Sequence, residues 1–228
     1  MKNCLAIECA TEVCSVALSS SSDVVELHGD NSVKASAQIL ELVSSILVEA
    51  NMTIENLDAV VLSVGPGSFI GVRTAVSVVQ GLAMPFELPI YPVSTLQALA
   101  QNAYLNFGYE KVNVALDARM NEIYYGCYQV DDNKKMQCAG VDRLIKPQDL
   151  IIDDASATAV GNGWVACEDL FDKNIFDDLN VCDEIIWPSA KAILDLVVES
   201  KMAPVSVVDL EPLYLRNNIA DENARVKK

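Results

Sequence analysis

The stretch SVGPGSFIGVRTAVSVVQGLAM, residues 63–84, runs from the end of an apolar segment through a glycine-rich bend into a helix that carries a single charge. Gly65 and Gly67 supply a G-x-G, but position 70 is isoleucine, so the dinucleotide fingerprint G-x-G-x-x-G fails. No Lys-Ser or Lys-Thr pair opens the helix, which excludes a P-loop. Pro66 removes a backbone N–H where a phosphate cradle needs donors. The bend therefore reads as a tight turn into a helix, with Ser68 as the cap.

The helix is more informative than the bend. From Thr74 to Phe86 it has no charged residue, whereas a helix on one face of a sheet normally keeps a polar side for water. Val72, Val76, Val79 and Ala83 make one stripe; Ala75, Val78 and Leu82 make a second. The preceding segment KASAQILELVSSILVEANM has a helical stripe of Ile39, Leu42, Val43, Ile46, Leu47 and Ala50. Ala37, Leu40, Ser44 and Val48 lie off it. Two helices apolar on more than one side are expected to pack on a sheet inside and on another subunit outside. The expected partner face comprises Leu40, Ser44, Val48, Gly71, Thr74, Ala75, Val78 and Leu82. Small residues at 71, 75, 77 and 81 would let a partner helix come close, and a charge at Val76 or Leu82 is expected to break the contact but spare the fold. The competing reading buries this face beneath a second domain of the same chain. Arg73 opposes the helix dipole from the first turn and is expected to meet a carboxylate or a functional anion.

Outward from these helices, residues 4–10, 13–19 and 24–28 read as a strand meander. LDAVVLSV is a continuous apolar run of buried parallel-strand type. PIYPV is a short strand, followed by a helix that Ser94 is expected to cap. Strands followed by alternating helix and strand give an α/β fold with a mixed sheet and helices packed on it. KVNVALDARMNEIYYGCYQV begins a strand pair joined by a polar turn at residues 119–121. The expected lobes are 1–107, carrying the partner-binding helices, and 108–228, whose C-terminal segment can return to the first lobe.

Composition limits the chemistry. The chain has 32 acidic and 16 basic residues, a net charge of −16, with no clustered basic patch. Such a surface repels a phosphate backbone, so direct tight binding of nucleic acid is not expected. The opening MKNCLAIECATE has too short an apolar run for a signal peptide, and no segment is expected to cross a membrane. The seven cysteines lack a Cys-x-x-Cys pair and read as reduced thiols of a cytoplasmic protein. One histidine, His28, cannot build a histidine-based metal site or an evident catalytic triad. Glu8, Asp117 and Glu122 fall at strand ends where acid–base work is feasible, although nothing in their spacing requires it. DARMNE reads as a charge-paired turn in which Arg119 bridges local acids. No catalytic or metal residue is assigned.

Six segments in order, IECATEVCSVAL, GPGSFIGVR, PVSTLQALAQ, LDARMNEIYYGCY, VGNGW and EPLYLRNNIA, resemble the bacterial TsaB (YeaZ) family. The resemblance implies an actin/hexokinase-like (ASKHA) fold of two α/β lobes. It also implies a scaffold role in installing threonylcarbamoyl on the adenosine beside the tRNA anticodon. In that role the chain is no enzyme on its own; a TsaD-like catalytic subunit holds the ATP and metal, and a TsaE-like ATPase joins. The two helices are implied to form the TsaD contact, with self-association through the same face in some members, and tRNA is met only through the complex. Gly65, Gly67, Ser68, Arg73, Asp117 and Arg119 fall in family-type motifs whose role stays open; Arg216 is in the same position.

The chain departs from the family pattern in three places. Glu8-Cys9-Ala10-Thr11 stands where the ASKHA phosphate loop has Asp-x-Gly-Thr, losing the glycine that lets backbone approach phosphate. Ala35-Ser36-Ala37-Gln38 lacks a histidine common in relatives. Ile70 replaces a usual threonine. The other functional class is an independent enzyme, an ASKHA phosphotransferase with Thr11 and Asp117 near phosphate, or a peptidase. A chaperone-like homodimer is a third. The end, DENARVKK, reads as a solvated tail.

Overall fold

A computed structural model of the chain describes residues 2–20, 23–30, 32–177, 179–182, 184 and 186–216. The tail expected at 221–228 lies outside the described residues. In chain order the first half contains β1 (Cys4–Glu8), β2 (Ser15–Ser20), β3 (Asp23–His28), α1 (Ala35–Glu49), β4 (Ala59–Ser63), α2 (Phe69–Ala83), β5 (Ile90–Val93) and α3 (Thr95–Phe107). The second half adds β6 (Lys111–Asp117), β7 (Ile123–Val130), β8 (Met136–Cys138), β9 (Arg143–Ile145), β10 (Thr158–Val160), α4 (Gly163–Ala166) and α5 (Ala190–Val197).

The first sheet has the order β3-β2-β1-β4-β5. The meander β1–β3 is antiparallel, and β4 and β5 run parallel to β1. All residues of β1 and β4 are buried, as for strands covered on both faces. The alternation of their side chains decides what each face can accept. Leu5, Ile7, Val60 and Leu62 point to the side where Ile39, Val43 and Ile46 of α1 and Val72, Val76 and Val79 of α2 complete the core. Cys4, Ala6, Ala17 and Ala59 make the opposite face of small residues, which allows α5 to press in with Ile193, Leu194 and Val197.

The second sheet has the order β10-β6-β7-β8, with β9 pairing the start of β7. Leu96, Leu99 and Ala103 of α3 cover one face against Val112, Val114 and Tyr128. Trp164 and Phe171 cover the other against Ala115, Tyr125 and Ala159, with the two rings stacked 5.1 Å apart. Gly108 ends α3 in the left-handed conformation (φ 72°), which glycine adopts without strain. α5 and Leu210, both beyond residue 108, pack on the first sheet. The fold is α/β, with mixed sheets flanked by helices.

Ser94 corrects one expectation. It precedes α3 but makes no side-chain cap bond; its hydroxyl instead donates to Asp142 at 2.7 Å. Asp142 also accepts from the buried Tyr128 hydroxyl at 2.5 Å, so this carboxylate ties α3 to β7. All seven cysteines are free and five are buried.

Candidate functional site

The bend at 64–68 is built against the chain's own backbone. The Ser68 amide donates to the Ala10 carbonyl at 2.7 Å, and the Gly65 carbonyl accepts from Thr95 at 2.9 Å. A side chain at Gly67 would overlap the Ala10 carbonyl, and one at Gly71 the Cys9 carbonyl. Gly65 has φ 104° and lies against the Leu213 carbonyl. The Ser68 hydroxyl accepts from the Gly71 amide at 3.2 Å, as expected of a cap. The glycines thus allow two backbone segments to touch, and the Val64 and Ser68 amides are already taken, by the carbonyls of Val93 and Ala10.

α2 leaves this bend with its apolar surface divided. Val72, Val76, Val79 and Ala83 face the sheet. Gly71 and Ala75, expected on the partner face, are buried on the sheet side, because small residues there let α2 close onto the end of β1. Val76 is likewise core, so a charge there would strike the fold. Outward, Ser77 and Gly81 are exposed, and Thr74, Val78 and Leu82 are half-buried. From α1 come Leu40, Ser44 and Val48, all exposed, with Leu40 at 60% and Val48 at 76%. Leu40, Arg73, Thr74, Ser77, Val78, Gly81 and Leu82 line an open groove of about 480 Å³. Phe69, Ile70 and Met84 extend the apolar surface at its rim. Among the described residues no element of this chain covers the face.

Phe69–Phe86 is also long and apolar enough, by composition, to cross a membrane, with mean hydropathy 1.4. The expectation that no segment approaches a span is corrected to that extent. The cause is visible in the packing: one side of α2 is spent on the sheet, and the other is apolar as well.

Of the two partners expected for Arg73, a carboxylate of this chain is not found among the described residues. Its guanidinium lies 3.7 Å from the Phe69 ring centre, and its Nε donates to the Tyr214 hydroxyl at 2.6 Å. Tyr214 arrives on a C-terminal strap that sequence periodicity missed. Val205 pairs with Ile90 at the sheet edge, Leu213 donates to the Val64 carbonyl, and Gln80 of α2 donates to the carbonyls of Val207 and Leu210.

The other motif residues form a separate cluster. Arg119 bonds Asp117 and Glu12, each at 2.8 Å, the latter reaching over from the β1–β2 turn. Arg119, Met120 and Asn121 all have positive φ, a turn held by the Asp117 carboxylate accepting from the Arg119 amide. Arg216 pairs with Glu122 and donates to the Ala118 carbonyl. The charge-paired turn is therefore as expected, and its acids are engaged. Glu8 is fully buried at the end of β1. Burial pushes its carboxyl up to about 7, against the Ser63 hydroxyl and Ala10 amide, which favour the charged form. His28 is largely exposed, 3.4 Å from Glu26. Among the described residues no group of three His, Cys, Asp or Glu side chains could hold a metal ion.

A family model described as "TsaD: tRNA N6-adenosine threonylcarbamoyltransferase" matches residues 31–224. The chain is 36% identical to tRNA threonylcarbamoyladenosine biosynthesis protein TsaB of Escherichia coli (strain K12), over 95% of each sequence. It is 32% identical to the protein of the same name from Haemophilus influenzae, over 94% of each. Among solved structures, YeaZ from Pseudomonas aeruginosa superposes with a TM-score of 0.84 at 32% identity, covering 94% of this chain and 100% of that one. A crystal structure of an uncharacterised protein with similarity to the peptidase YEAZ, also from P. aeruginosa, gives 0.84 at 34% identity over 95% and 100%.

Proposed function

The chain belongs to the TsaB (YeaZ) family, and from that membership we propose that it is a non-catalytic subunit of the machinery making threonylcarbamoyladenosine in tRNA. In this reading it binds a TsaD-like catalytic subunit and organises it, with a TsaE-like ATPase joining the assembly. ATP and metal reside on those partners, tRNA is met only within the complex, and the site of action is the cytoplasm.

The observation that carries the proposal is the uncovered apolar face of α1 and α2, with its groove between Leu40 and Leu82. A subunit that binds only the active conformation of its partner raises that conformation's population without doing chemistry. A stable contact of this kind buries more than ~1,000 Å² around an apolar centre.

The test is reconstitution with the cognate TsaD-type and TsaE-type subunits, following modified adenosine in tRNA. Leu40→Lys is expected to abolish co-purification and modification together, while the isolated variant unfolds at the wild-type urea midpoint. Wild-type complex formation by that variant would remove the interface from the proposal. Calorimetry of the isolated chain with ATP and Mg²⁺ addresses the independent-enzyme reading: stoichiometric tight binding would favour a phosphotransferase, and none is expected.

A further inference from the structure

Four arginines lie among the described residues, and three of them, Arg119, Arg143 and Arg216, are paired with carboxylates of this chain. Arg73 is the exception, although acids outnumber basic residues two to one, 32 against 16. It is exposed, it lines the groove between α1 and α2, and as the fifth residue of α2 it stands just past the first turn, near the end where the helix dipole disfavours a cation. The fold offsets that cost with aromatic groups. The guanidinium is 3.7 Å from the Phe69 ring centre and 5.5 Å from that of Tyr214, whose hydroxyl accepts from Nε. Stacking leaves the fork of Nη donors available and holds it in place, so little side-chain freedom is lost when a partner binds. A cation pinned this way beside an apolar groove is arranged to receive a planar anion.

Resting on the docking-face reading above, we propose that Arg73 is the specificity-determining anchor of this face. It takes a carboxylate carried on the docking helix of a heterologous partner, while that helix's apolar residues fill the groove over Ser77 and Gly81. Charge favours such a partner over a second copy of this chain. Two molecules of net charge −16 repel, and α2 offers no carboxylate between Phe69 and Phe86 for a symmetry-related Arg73, so that a second copy would have to present an exposed acid of α1, Glu41 or Glu49. Discrimination follows from the same geometry, since a helix with an apolar or basic residue at this position would bury the guanidinium without a partner.

The experiment titrates the cognate TsaD-type subunit with the full chain and with Arg73→Lys, Arg73→Ala and Arg73→Glu, at low and high salt. Leu40→Lys serves as the control for the face itself. Arg73→Ala is expected to weaken binding about 10- to 100-fold and to flatten its salt dependence. Arg73→Glu weakens it further, and Arg73→Lys recovers the salt dependence but only part of the affinity, since the charge returns without the fork. Reversing one carboxylate on the partner's helix should rescue Arg73→Glu. If all Arg73 variants bind as the wild type while Leu40→Lys does not, the anchor is wrong and the face stands. If Leu40→Lys also binds normally, the docking face itself is wrong. An isolated chain whose dimerisation depends on Arg73 and on salt would make the occupant a second copy and overturn the proposal.

Discussion

The Ala10 carbonyl occupies the space a side chain at Gly67 would need, and it accepts the Ser68 amide at 2.7 Å. The end of β1 and the start of α2 are thereby joined through main chain alone. Because Gly71 rests on the neighbouring Cys9 carbonyl, the first turn of α2 is set by the same contact. A glycine pattern that resembles a ligand loop is here the joint that aims α2.

Gly67→Ala should therefore be among the costliest single-methyl changes in the chain. The clash is with backbone, which cannot move as a side-chain tip can, so the loss is expected at ~3 kcal/mol. Urea unfolding should show a lower midpoint at unchanged slope. A midpoint within error of the wild type would mean the joint is slack.

Gly81→Ala runs the opposite way. A β-carbon at Gly81 meets nothing within 4 Å, and the position is an exposed helix interior. The substitution should stabilise the isolated chain by ~0.5–1 kcal/mol through helix propensity. If a partner helix lies across this glycine, the same methyl group should weaken the complex. A variant both more stable and equally tight in binding would show that no helix crosses there.

Much of this was legible in the sequence, and the failures have physical causes. The stripe Val72, Val76, Val79 was readable as core because a period of 3.6 residues is a local property. Leu40, Ser44 and Val48 were readable as a second face for the same reason. Gly71 and Ala75 misled, because a small residue permits close approach on either side of a helix, and periodicity does not say by what. Ser94 has the sequence position of a cap, a local property, but its partner Asp142 is 48 residues away. Tyr214, which holds Arg73 from 141 residues along the chain, lies on a strap without a regular period.

The Ser94–Asp142 bond makes a distinguishable prediction. A serine acting as a cap contributes alone, so Ser94→Ala and Asp142→Ala would be additive. Here the hydroxyl reaches the same carboxylate as buried Tyr128, and groups in one network do not add. The double-mutant cycle, read by thermal or urea unfolding, should give a coupling of ~1 kcal/mol. Additivity would return Ser94 to the helix terminus.

Glu8 carries a pH dependence whose sign is unusual for a carboxyl. Desolvation raises it from an ordinary value of 4.5 to about 7, so the folded chain keeps a proton that the unfolded chain releases between those values. Below the lower value both states are protonated and the group costs nothing. As pH rises toward the upper one, stability falls by up to ~1.4 kcal/mol per unit and then levels off. The loss by pH ~8 is of the order of 3 kcal/mol. Glu8→Gln mimics the neutral acid and keeps a side-chain oxygen for the Ala10 amide, which donates to Glu8 at 2.7 Å. Other groups titrate alike in both proteins, so the difference between their unfolding free energies isolates Glu8. That difference should be near zero in mild acid and should favour the glutamine variant increasingly up to neutral pH. A difference that stays flat from pH ~5 to ~8 would mean the carboxyl is ionised in the fold and finds a partner for its second oxygen, which has none among the described residues.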